Sequence, residues 1–326
     1  MKISNTTKYT LSAILAIGLM YFALKGIKWS DFVEGLRSTR WIWVLASMLC
    51  AVLALVLRTR RWHLLLGPID PELRGIHIWD ANNVGNLASL AIPGVGEFVR
   101  CARVSGPRAT FSKTLGTIVL ERAWDIVSVV IILLIAILCN GSTLGPFVAD
   151  NIIKPLSARI PLAALALGLC LIVVVSLVLV YRWRDRSAIC GKIVKAASEV
   201  LDGLTSFVKM PHKLRFLLQT ALVWLMYILT TWLTFKAIPA LDYLSFADAV
   251  FISAVGNIAS VVPVPGGFGA YHYLVALSLS AICGSSWETG FLAATLAHES
   301  HALVILVTGA VSWVASATRR RTPSRI

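Results

Sequence analysis

The sequence predicts an all-α polytopic membrane protein, with six spanning helices and two re-entrant broken-helix hairpins arranged as an inverted repeat. Three observations carry this. Hydrophobic residues make up 57% of the 326 and charged residues only 14%, and the apolar residues fall in runs long enough to cross a bilayer. One segment occurs twice: Val84-Gly85-Asn86-Leu87-Ala88-Ser89-Leu90 returns as Val255-Gly256-Asn257-Ile258-Ala259-Ser260-Val261. Each copy runs into a break, Pro93-Gly94-Val95-Gly96-Glu97 in the first and Pro263-Val264-Pro265-Gly266-Gly267-Phe268-Gly269 in the second. Proline lacks the N–H a helix needs and glycine raises its entropic cost, so a helix stops there. Unwound backbone is tolerated at membrane depth only where protein covers it or it lines a wet cavity. Two matched interrupted segments, one per half, point to a transporter's substrate site.

In chain order, the first span is Tyr9 to Leu24. Lys2 and Lys8 precede it, but Gly26-Ile27-Lys28-Trp29 follows where small cleavage-site residues would be needed, so it reads as a retained helix and not a signal peptide. The second span, Trp41 to Leu57, is short and leans on interfacial Trp41 and Trp43, with Arg58, Arg60 and Arg61 in the loop behind it. The first hairpin runs from about His77 to Arg103; neither half is long enough to span, so two half-helices meet at the break. Thr114 to Cys139 is the third span and Pro161 to Tyr181 the fourth. Residues 182–213 are polar, but Ile189, Ile193, Val194, Ala197, Val200, Leu201 and Leu204 recur at helical spacing, which predicts an amphipathic helix on the cytoplasmic surface. Leu214 to Phe235 is the fifth span, the second hairpin covers about Phe246 to Ile282, and Glu288 to Ala317 is the sixth span. The chain, 1–326, reads as one transmembrane domain with halves at about 1–140 and 161–317.

The formal net charge is +14. In a membrane protein that excess sits on cytoplasmic rims facing anionic lipid, and a nucleic-acid partner is not expected. The basic residues cluster behind the second span, before the third, between the fourth and fifth, and after the sixth, where Arg319, Arg320 and Arg321 follow. The positive-inside rule places all of these clusters, and both termini, on the cytoplasmic side, and the expected location is a prokaryotic inner membrane. The first hairpin then dips in from the cytoplasm and the second from outside. The six cysteines make no disulfide framework, and packing roles are expected for Cys50, Cys139 and Cys170 in their apolar runs.

Ionisable residues inside such segments are costly and mark function. Glu97 and Arg100 stand three apart after the first break and share a helix face, and Glu121 and Asp125 stand four apart with Arg122 between them. Two carboxylates one turn apart need a base; Arg122 cannot face both, which leaves Arg100, Arg58 or Arg61. A buried ion cluster and a headgroup site would use the same residues. At the second break, Gly266, Gly267 and Gly269 leave amides for an anion at a half-helix start, with Tyr271 and His272 next and His298 and His301 on the last helix. The histidines lack zincin spacing, so no metal and no cofactor is expected. Trp79 and Asp80 are read as interfacial anchors. No serine elbow, phosphate-binding loop or dinucleotide fingerprint occurs, so no enzymatic activity is expected.

Arg58 to Leu66, Asn86 to Arg100, Glu121-Arg122 with Asp125, and Pro263 to His272 together resemble the lysylphosphatidylglycerol synthase transmembrane-region family, also called flippase-like proteins. The resemblance covers nearly the whole chain. The family is similar to the membrane half of a bacterial peptide-resistance factor in which a soluble synthase domain makes a lipid that is flipped outward; with no such domain here, the resemblance implies a free-standing flippase-like module and not the aminoacyl transfer activity. Some relatives are assigned to glycolipid pathways, so the substrate does not carry over. The family's first break usually has an arginine shortly before Gly-Glu. Here glycine or valine stands there, which shifts a headgroup contact towards Arg100. His272 replaces a glutamate sometimes found after the second break. The resulting expectation is translocation of a lipid or lipid-linked anionic substrate, with Asn86, Pro93, Asn257 and Pro263 at the two breaks among the substrate-binding residues. The alternatives are a headgroup or glycosyl transferase using Glu97, Glu121 and Asp125, or a non-transporting partner of a separate lipid-modifying enzyme. The oligomeric state is left open.

Overall fold

The chain is represented by a computed structural model that describes residues 5–139, 198, 206–259 and 264–321. The fourth predicted span, most of the amphipathic linker and Pro263 lie outside the described residues. Every regular element among the described residues is helical. The first half holds α1 (Asn5–Leu24), α2 (Trp29–Arg37), α3 (Trp41–Leu66), α4 (Gly75–Ala91), α5 (Val95–Val104) and α6 (Phe111–Cys139). After a single turn at Ser206–Lys209, the second half holds α7 (Lys213–Ala237), α8 (Phe246–Ala259), α9 (Ala270–Ala281) and α10 (Trp287–Arg321).

Four of these helices are long and apolar enough to cross a membrane: Trp41–Leu66, Phe111–Cys139, Lys213–Ala237 and Trp287–Thr318. The outer face of α6 exposes Ile126, Val130, Ile131, Leu134, Ile135 and Leu138. Apolar exposure on that scale belongs in lipid. This is a multi-pass membrane protein.

One predicted boundary was wrong. The second span is not short: α3 has 26 residues and carries Arg58, Arg60 and Arg61 within the helix, not in a loop behind it. Hydropathy ends the span at the first arginine. The helix continues because Arg61 is neutralised by carboxylates from another element and has no need to reach water.

The sequence repeat is also a repeat of architecture. The order α3-α4-α5-α6 is matched by α7-α8-α9-α10, with starts at 41 and 213, 75 and 246, 95 and 270, and 111 and 287. The packing is reciprocal: α4 lies against α10 and α8 against α6, so each hairpin is held by the last helix of the other half. The matched helices α3 and α7 pack antiparallel. Arg40 before α3 donates its backbone N–H to the carbonyl of Ala237 at the end of α7 (2.8 Å), while Trp62, Leu65 and Leu66 late in α3 pack with Phe216 early in α7.

Both breaks have the same local cause. Ile92 is extended (φ −135, ψ 117) before Pro93 and Gly94 is left-handed (φ 75); Val264 is extended (φ −117, ψ 149) before Pro265 and Gly266 is left-handed (φ 58). A residue before proline is pushed out of the helical region, and glycine then reverses the chain at no steric cost. The two reversals meet, since Gly266 stands against Leu90 at the end of α4. Trp79 and Asp80, expected at the membrane rim, lie instead in the packing. Asp80 is buried, and Trp79 packs on Ala51, Leu55 and Val304.

Candidate functional site

Three elements bring their charged residues into one closed ring. Arg61 from α3 reaches Asp125 at 2.8 Å and Glu121 at 2.9 Å. Arg100 from α5 reaches Glu121 at 2.7 Å and Glu97 at 2.8 Å. Arg122 from α6 reaches Glu97 at 3.1 Å and Asp125 at 3.4 Å. Arginine and carboxylate alternate all the way round, three of each. The i, i+4 pair Glu121 and Asp125 does share a face, and Arg61 is the base that clamps both. Arg122 serves Asp125 and the hairpin residue Glu97.

The ring is driest at Arg61, Arg100 and Glu121, which are 0%, 1% and 0% exposed. Asp125, Glu97 and Arg122 open progressively to the surroundings, with side-chain exposures of 21%, 32% and 44%. The Arg100 guanidinium lies 4.3 Å over the Trp62 ring, a cation–π contact that keeps it flat beneath α3. Trp62 is itself fixed by donating its indole N–H to Thr117 Oγ1 (2.9 Å). Desolvated, charge-assisted bonds of this kind stabilise only while every partner is present.

Arg58 is the cation in surplus. It comes no closer than 3.8 Å to Glu121, beyond hydrogen-bond length, and both Glu121 oxygens already accept from Arg61 and Arg100. Arg58 and Arg122 line a cavity of about 280 Å³ that runs to the second break, where Gly266, Tyr271, His298 and His301 form its far wall.

At that far wall His298 places Nδ1 2.9 Å from Glu299 Oε1 and Nε2 2.9 Å from the Gly266 carbonyl oxygen. His272 is buried, with Nε2 3.5 Å from the same Glu299 oxygen. His272, His298 and Glu299 could hold an ion by spacing, their ligand atoms lying within 4.8 Å of one another. Such an ion would have to displace one of the His298 bonds. His301 is not in that set, and Glu299, which the sequence reading did not count among the site residues, is.

Of the three glycine amides expected at the second break, that of Gly267 is taken up inside the turn: Gly267 donates its N–H to the Val264 carbonyl (3.2 Å), and Phe268 donates to the Pro265 carbonyl (3.0 Å). Gly269 faces the α1 backbone, where an added Cβ would come 2.7 Å from the Ala16 carbonyl oxygen. It is a close-packing residue. Tyr271 lies over Gly256 as Arg100 lies over Gly85, at the same positions of the two repeats. Asn257 is on the cavity wall and donates to the Ser253 carbonyl (2.8 Å). Asn86 and Pro93 are half-buried in the first hairpin, away from that wall.

Sequence reading missed the side wall altogether. It is built from Ser47 on α3, Tyr227, Thr230, Thr231 and Thr234 on α7, and Ser253 on α8. The signal was present, since three threonines within five residues of an otherwise apolar span are out of place in lipid. No curated protein and no solved structure matches the chain. A family model described as the lysylphosphatidylglycerol synthase TM region matches residues 9–309, and the chain belongs to that family.

Proposed function

We propose that the chain moves the headgroup of an anionic lipid across the cytoplasmic membrane through the cavity between its two breaks. Arg58 carries this reading. It is a cation beside a ring that is already balanced, its nearest carboxylate 3.8 Å away and held by two other arginines, and it lines a space about the size of a headgroup. The family's description places the chain among membrane-lipid proteins. A headgroup transferase would need an available acid or base, whereas Glu97, Glu121 and Asp125 are all held by arginines.

The membrane arrangement we propose is six spans with two re-entrant hairpins of opposite entry. Antiparallel packing of the matched helices α3 and α7 supports it, because a two-fold relation between antiparallel spans has its axis in the membrane plane. Contacts also sort the chain into two ends. Trp287 at the start of α10 donates to the Ala23 carbonyl of α1 (2.9 Å), and Arg40 pairs with Asp242 (2.9 Å) at one end. Arg103 meets Ser316, and Trp124 stacks near Phe207, at the other. The positive-inside rule makes the second end cytoplasmic, so headgroups enter past Arg122 and Arg58. Single cysteines at Ser142 and Ser285 are expected to react with an impermeant reagent from outside, and one at Ser198 only after permeabilisation. Labelling of Ser285 from the cytoplasm alone would overturn the opposed entry.

Function is tested in liposomes holding labelled phosphatidylglycerol, by the rate of exchange between leaflets. Arg58→Gln is expected to slow exchange ~10- to 100-fold, the worth of one charge-assisted hydrogen bond. Its melting temperature should stay unchanged, because Arg58 stands outside the ring. Unaltered exchange would remove Arg58 from the path. Exchange by the unmodified protein no faster than in empty vesicles would end the translocase reading.

A further inference from the structure

The cavity wall is unusual in what its hydroxyls do. Thr230 and Thr231 donate to the Tyr227 carbonyl (2.7 and 3.2 Å), Thr234 to that of Thr230 (2.9 Å), Ser47 to that of Val44 (2.7 Å) and Ser300 to that of Ala297 (3.2 Å). A hydroxyl has one proton and two lone pairs. With the proton given to the helix, each oxygen turns lone pairs towards the cavity. Ser253 Oγ is different: it lines the same space, its residue is 4% exposed, and it has no hydrogen-bond partner. A buried hydroxyl without a partner costs free energy until a ligand supplies one.

Charge narrows the ligand further. Two arginines and no carboxylate are among the described residues lining the cavity, and the acids of the ring are occupied. An ammonium group would stand beside Arg58, whose nearest carboxylate is already held by two other arginines. A neutral group rich in O–H donors would satisfy the wall of acceptors, while a phosphate attached to it reached Arg58. A volume of about 280 Å³ holds such a headgroup and leaves acyl chains in the lipid.

Resting on the translocation reading, we infer that the cavity selects a phosphate bearing an uncharged, polyhydroxylated group, a phosphoglycerol or sugar phosphate, and rejects headgroups that carry an amine. Proteoliposomes would be loaded with labelled phosphatidylglycerol, phosphatidylethanolamine or lysyl-phosphatidylglycerol of identical acyl chains. Phosphatidylglycerol is expected to exchange about tenfold faster than either amine lipid, the difference one lost polar contact makes. Thr231→Val removes an acceptor at nearly constant volume and should bring the phosphatidylglycerol-to-phosphatidylethanolamine ratio towards one. Equal rates for the three lipids in the unmodified protein, or a ratio that Thr231→Val leaves untouched, would overturn the selectivity.

A second measurement separates this inference from translocation itself. In detergent, glycerol 1-phosphate should raise the melting temperature more than equal concentrations of phosphoethanolamine or inorganic phosphate. That result without lipid exchange would keep the selectivity and discard the transport. Equal protection by all three would discard the selectivity even if lipid exchanged.

Discussion

Glu121→Gln is expected to lower the stability of the folded protein by about 3 to 5 kcal/mol, the range for breaking a buried ion pair from one side. Glu121 is fully buried and is the only carboxylate in the ring held by both Arg61 and Arg100. The amide keeps the shape and one acceptor but loses the charge, and two buried guanidiniums are then left facing each other. Three elements part at that point: α3, which carries Arg61, α5, which carries Arg100, and α6. The same change at Glu97 should cost far less, because its side chain is 32% exposed and water can replace what is lost. Thermal unfolding in detergent would measure both. A Glu121→Gln protein as stable as the unmodified one would mean the ring does not clamp the first hairpin.

The parts of this site that lie close in sequence were legible, and the parts joined by packing were not. Glu97 with Arg100, and Glu121 with Asp125, are pairs set by helical spacing, and spacing is visible in a sequence. That Arg61 closes on Glu121 and Asp125 across some 60 positions depends on how α3 meets α6, which no local pattern encodes. The same ignorance shortened α3: an arginine reads as the end of a span until its counter-charge is known. Gly85 and Gly256 stand at matched positions of the repeated segment, and each is pressed by a side chain from the helix that follows, so nothing larger can stand there. That the Gly267 amide is taken up within the second break was not legible, since a glycine-rich turn can close on itself as readily as it can offer N–H groups. The pairing of Glu299 with its neighbour His298 was not legible because neighbours on a helix point about 100° apart; the reach of the glutamate side chain brings its carboxylate back to the ring nitrogen.

The two repeat glycines should therefore fail in different ways. A Cβ on Gly85 would stand 2.5 Å from Arg100 Cγ and 2.8 Å from the Gly96 carbonyl oxygen. The second contact is backbone and cannot turn aside, so α5 has to leave α4 and draw Arg100 away from Trp62 and Glu121. Gly85→Ala is expected to cost about 3 kcal/mol, at the upper end for overpacking, and exchange should be lost together with the fold. A Cβ on Gly256 would stand 2.6 Å from the Tyr271 ring edge, and that ring borders the cavity. It can swing into open space, so Gly256→Ala should cost only about 1 kcal/mol, yet leave Tyr271 across the proposed headgroup path. Melting temperature and lipid exchange measured on both variants separate the two. The expected pattern is a large loss of stability for Gly85→Ala, and a nearly stable but transport-deficient Gly256→Ala. A stable Gly85→Ala would place α5 elsewhere than against α4 and dissolve the ring. A Gly256→Ala protein that exchanges lipid normally would show that the path does not run past Tyr271.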